Sequence, residues 1–164
     1  MAHAITALIL PGPYHADVVD KWDLVPVPLG GDLTLFHLTH YYAAYRQKLL
    51  GVEGHFELAP SARELLFPTE NVIGVLAAEL SARSEATFAL VVTDYFAGAG
   101  GQGAVVSIDG GPIRPVADIN GALRVLGVAA REGLDEFDTV GLGDQRSTPD
   151  YLDRYVDLCD ELGV

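Results

Sequence analysis

The sequence predicts one α+β domain: a largely antiparallel sheet, helices packed on one face, and an amphipathic helix at the C-terminus. Three observations predict it. Apolar runs of strand length recur without the strict strand–helix alternation of a parallel α/β fold. Residues 88–116 hold three strand-like runs joined by turn signals, which make an antiparallel meander. Residues 150–162 place apolar side chains on one side of a helix and acids on the other. A chain of 164 residues fits a single domain over 1–164 and buries enough surface to need no covalent staple.

Taken in order, residues 4–10 are short and apolar, the pattern of a buried strand, and Pro11-Gly12-Pro13 ends the run. Residues 16–22 suit one or two helical turns. Residues 24–29 alternate apolar positions with Pro26 and Pro28, which confines them to a sheet edge or an extended segment. Gly30-Gly31 turns the chain into a strand over 33–38. Thr39 then caps a helix to Leu50, with Gly51 just past its end and Tyr41, Tyr42, Tyr45 and Leu49 on one face. A short strand is expected over 55–58, a short helix over 62–67, and a helix capped by Thr69 with Val72, Ile73, Leu76 and Leu80 inward. The strand 88–96 is followed by a Gly-rich loop over 97–103, a strand over 104–109, the hairpin signal Asp109-Gly110, and a returning strand over 113–116. Asp118 or Asn120 caps a helix to about Leu126. After a loop rich in Gly and Asp, Thr148-Pro149 opens the last helix.

Composition bounds the function. Net charge is −13 while mean hydropathy is +0.25 and 49% of residues are apolar. A full core or a self-association surface reconciles these values, so a homodimer is one expected arrangement. Such acidity repels nucleic acid and disfavours it as a ligand. A proteome-wide acidic bias is the alternative origin of the charge. The lone cysteine, Cys159, permits no intrachain disulfide and fits a reducing compartment. No Lys or Arg precedes the apolar run 4–10, and no run approaches the ~18 residues of a membrane span. A cytoplasmic protein that does not engage a membrane is therefore expected.

Gly98-Ala99-Gly100-Gly101-Gln102-Gly103 contains a formal GxGxxG after a strand. A dinucleotide site needs a helix directly after those glycines, and the β-like run Ala104-Val105-Val106-Ser107-Ile108 stands there instead. A hairpin connection, mobile over a pocket, is the expectation, and no cofactor is implied. His37 and His40 are three apart but straddle the strand–helix boundary at Thr39, and no motif fixes a third ligand, so no metal is expected. No GxSxG elbow, Walker loop, HExxH or kinase signature occurs. If the chain binds a small anionic molecule, the candidate pocket lies between the Tyr-rich helix 39–50 and the loop 97–103. Its candidate groups are His37, His40, Tyr41, Tyr45, Arg46, Asp94 and Tyr95. Asp94, within the strong strand, is an acid–base candidate if buried and a solvated side chain if not.

Charge is the larger asymmetry. Residues 131–164 carry ten acids against three bases, a net of −7. On the last helix, Asp150, Asp153, Asp157, Asp160 and Glu161 fall opposite the apolar face that holds Tyr151, Leu152, Tyr155, Val156, Leu158, Cys159 and Leu162. Like charges four apart cost a few tenths of a kcal/mol each, roughly, and acids at a helix C-terminus about 0.3–1 kcal/mol. A sequence that retains such costs suggests a use for the charge. The expected function is a non-enzymatic protein that binds a basic protein partner through this helix and the 135–144 loop. Bacterial immunity and anti-nuclease proteins are similar in these bulk properties alone. A small-molecule binder or enzyme is the alternative.

Overall fold

The computed structural model describes residues 2–58, 60, 65 and 67–164. Among these, β1 (His3–Pro11), β2 (Val27–Pro28), β3 (Leu33–His37), β4 (Phe88–Phe96), β5 (Ala99–Ser107) and β6 (Arg114–Val116) form one sheet of order β2-β3-β1-β4-β5-β6. Every neighbouring pair is antiparallel, and β4, β5 and β6 make the expected meander. Both edge strands are short and contain a proline, Pro28 and Pro115, which blunts them against pairing with other chains.

The helices divide between the two faces rather than keeping to one. Strand residues alternate, so Leu8, Leu10, Phe36, Leu90 and Val92 point to one layer and Ala7, Ile9, Leu35, Val91 and Val106 to the other. The first layer holds α1 (Ala16–Lys21), α2 (His40–Leu50), α3 (Val72–Leu80) and α6 (Arg154–Leu162). The second holds α4 (Ile119–Val125) and α5 (Glu136–Val140). The central strands are apolar on both faces, which is the pattern of a doubly covered sheet.

Thr39 caps α2 as its position implies: its Oγ1 accepts from Tyr42 N at 3.0 Å, and Gly51 ends the helix in left-handed conformation. The buried face of α2 is turned from the expected one. Tyr42 and Ala43 are buried, whereas Tyr41 and Leu49 are about half exposed. Thr69 does not cap α3; its Oγ1 bonds His55 Nδ1, and the N–H of Val72 donates to Gln47 Oε1 of α2 at 2.9 Å. The strand expected over 55–58 is reduced to one bridge, His55 with Glu70. The helix expected over 62–67 falls largely outside the described residues. The loop expected at 97–103 is mostly strand, because the β4–β5 turn is only Ala97-Gly98 and β5 begins at Ala99. The 127–147 stretch contains α5, capped by Asp135, whose Oδ1 accepts from Asp138 N at 2.8 Å. The last helix is broken: a 3₁₀ turn, Asp150–Leu152, precedes α6. Among the described residues no helix is long and apolar enough to cross a membrane.

Candidate functional site

The predicted pocket residues divide: His40, Tyr41 and Asp94 line adjoining depressions, while His37, Tyr45, Arg46 and Tyr95 lie elsewhere. His37 lies on the α4–α5 side of the sheet, 2% exposed, with Nε2–H donating to Gln145 Oε1 at 3.1 Å. Burial holds its pKa below the usual histidine value, and nearby His3 pushes the same way against the Gln145 bond. Tyr95 belongs to that side as well; its hydroxyl accepts from Gln102 Nε2 at 3.3 Å, and Gln102 Oε1 accepts from Ile119 N at the start of α4. His40, Tyr41, Tyr45, Arg46 and Asp94 occupy the other layer. A strand passes its side chains alternately to opposite faces, so His37 at the end of β3 and His40 at the start of α2 diverge.

Arg46 is enclosed. Its guanidinium carbon lies 5.4–5.9 Å from the ring centres of Trp22, Tyr42, Tyr45 and Tyr155. Its Nη2 donates to the Trp22 carbonyl at 3.2 Å and to the Tyr155 hydroxyl at 3.0 Å. The Tyr155 hydroxyl donates onward to Asp23 Oδ2 at 2.6 Å, and Arg154 pairs with the same carboxylate. Desolvated cation–π contacts contribute up to about 2 kcal/mol each. Arg46 therefore fastens α1, α2 and α6 together through Nη2, while its buried Nε has no hydrogen-bond partner among the described residues. The sequence signal was the aromatic spacing; Trp22, Asp23 and Tyr155 lie far from α2 in the chain, so their convergence was not legible.

What remains open is a groove at the sheet end, beside the N-terminus of α2 and α6. Two adjoining depressions of about 280 and 360 Å3 share Thr6, His40 and Thr148. The first reaches Asp94, which is exposed; the second reaches Tyr41, Asp153 and Val156. The sequence marks Thr148 only as part of the start of the last helix. Tyr41 is 51% and Val156 39% exposed, so apolar surface stands directly beside the acids.

Asp150, Asp153, Asp157, Asp160 and Glu161 are all exposed, and none forms an ion pair among the described residues. The inner side of α6 is fixed: Tyr155 and Cys159 are buried, and Cys159 Sγ donates to the Tyr41 carbonyl at 3.1 Å. Burial pushes the Cys159 thiol pKa up, with Asp160 adding to it, which suits packing rather than nucleophilic chemistry. Two of the acids of 135–144 have structural work. Asp135 caps α5, and Glu136 pairs with Arg124 at 2.9 Å. Among the described residues no group of three or more His, Cys, Asp or Glu is arranged to hold a metal ion. No family model, curated protein or solved structure matches the chain.

Proposed function

We propose that the chain is a non-enzymatic, cytoplasmic interaction protein that binds a basic protein partner through α6 and the groove beside it. The observation that carries this reading is an exposed acidic helix face whose one cation is already paired. Arg154, the one base on α6, is taken by Asp23, and Arg46 is enclosed by aromatic rings. With Arg154 paired though half exposed, and Arg46 turned to the rings, Asp153, Asp157, Asp160 and Glu161 remain as a field that steers a cationic partner. Affinity needs a desolvated anchor besides charge, and Tyr41 and Val156 supply apolar surface at the groove. A partner's Arg or Lys entering the groove would meet Asp94 at one end and Asp153 at the other. Asp135 and Glu136 support the fold instead, which leaves α6 as the main surface.

The test is capture of partners from native lysate by three proteins: the unmodified chain, Asp153→Asn/Asp157→Asn/Asp160→Asn, and Tyr41→Ala. A basic protein retained at low salt, released at high salt, and lost by both variants is the expected result. Equal retention by all three removes the proposal.

A further inference from the structure

A concavity of about 770 Å3 lies away from α6. It is bounded by α3, by the β5–β6 connection and by residues 56–57. Ligand pockets typically measure roughly 300–1,000 Å3. Ala86 and Phe88 are buried at its floor, and Phe56 and Ile113 add apolar wall.

Helix α3 reads Val-Ile-Gly-Val-Leu-Ala-Ala-Glu-Leu and carries a single charged residue. That residue, Glu79, is turned to α1, where it accepts from Trp22 Nε1 and pairs with Lys21 at 3.1 Å. Val72, Ile73, Leu76, Ala77 and Leu80 pack into the core, while Gly74, Val75 and Ala78 face the cleft. A helix apolar all round is ordinarily covered all round. Here the second side is open, and Val75 is 39% exposed.

The polar groups of the cleft narrow what fits. Ser107 Oγ donates to the Gly111 carbonyl at 2.7 Å, and Asn71 Nδ2 donates to the Glu53 carbonyl at 3.0 Å. The charged residues lining the cleft are Glu57 and Glu85, both exposed and neither in an ion pair among the described residues. An anionic ligand would be repelled, and a neutral one would leave the carboxylates unused. We infer that this cleft binds an organic cation with an apolar body, of the alkyl- or aryl-ammonium class. The apolar body lies along Gly74, Val75 and Ala78, and the charged head meets Glu57 and Glu85. None of these residues belongs to the α6 groove, so the inference stands or falls apart from the proposed interface.

The probes are octyltrimethylammonium, octyl sulfate and 1-octanol below their aggregation limits, with binding followed by calorimetry and amide chemical shifts. The cation is expected to bind at least about ten-fold more tightly than the sulfate, with octanol between them. A Cβ at Gly74 meets nothing within 4 Å, so Gly74→Leu fits the backbone and fills the cleft. It is expected to abolish binding; Ala78→Trp is the second blocking variant. Glu57→Gln/Glu85→Gln is expected to bring the cation down to the affinity of octanol. Asp153→Asn/Asp157→Asn/Asp160→Asn is expected to leave binding unchanged. Equal binding of cation and sulfate, no binding of any probe, or cation binding that survives Gly74→Leu overturns the inference, the last being diffuse attraction to an acidic surface.

Discussion

His37 sits beneath the segment that carries Gln145, with Nε2 bonded and Nδ1 buried without a partner. Protonation would place a charge there with no acceptor for the second N–H, and burial is the main reason its pKa is lowered. The unfolded chain, with an ordinary histidine pKa near 6.5, then binds a proton before the folded chain does. The resulting stabilisation is complete above about pH 6.5 and is lost as pH falls from there through the lowered folded value. Urea unfolding of the unmodified protein is expected to weaken over that window, by at most about 1.4 kcal/mol per pH unit from this one group. His37→Asn is expected to flatten the slope; an identical slope in the variant would exclude His37 as its source. Arg46 makes the complementary case at this scale. A charged side chain beside tyrosines suggested an anion site, but four rings and two acceptors already occupy it.

Among the elements, the glycine-rich segment changes most between sequence and structure. Its glycines serve the β4–β5 hairpin. At Gly100, with φ at +142°, a Cβ would lie 1.9 Å from the Asp94 carbonyl oxygen. At Gly101 the nearest atom to an added Cβ is Leu65 Cδ2, at 3.4 Å. Gly100→Ala is therefore expected to cost about 1–3 kcal/mol, through strain and lost pairing, and Gly101→Ala less than about 0.5 kcal/mol. Paired urea titrations decide it, and equal costs would contradict this role for Gly100. Elements whose signals are local were legible: the run 88–96, the Thr39 cap, and the Asp118 cap, where Oδ1 accepts from Gly121 N at 2.7 Å. Elements set by tertiary contact were not. Alternation cannot separate a glycine-rich strand from a loop, because glycine has no side chain to alternate. Helix α5 has only five residues, too few to establish a period. The break at Asp153 places Asp157 in the first turn of α6, where the dipole favours it, while Asp160 and Glu161 stay at the unfavourable end as the sequence implies.

For the whole molecule, the question is whether the net charge of −13 weakens the fold, serves binding, or does both. Three ion pairs occur among the described residues, all with at least one strongly exposed partner, so salt has little favourable pairing to screen. At a net charge of −13, repulsion among the acids is the larger screened effect expected. Asp153 with Asp157 and Asp157 with Glu161 are like charges four apart, together unfavourable by roughly 0.4–1 kcal/mol. Raising sodium chloride from about 0.05 to about 0.5 M shortens the screening length several-fold. The fold is expected to gain part of that repulsion back, as a higher urea midpoint. Retention of a basic partner on α6 is expected to fall over the same range, because steering and rim contacts are screened too. The two responses therefore run in opposite directions if the acids of α6 serve an interface. In Asp153→Asn/Asp157→Asn/Asp160→Asn the gain in stability should shrink and the salt-sensitive retention should vanish together. A charge that reflects general acidity alone would give the first change without the second, since nothing would be retained at either salt. Stability and capture, measured across one salt series on one pair of proteins, thus separate a binding surface from a merely acidic one.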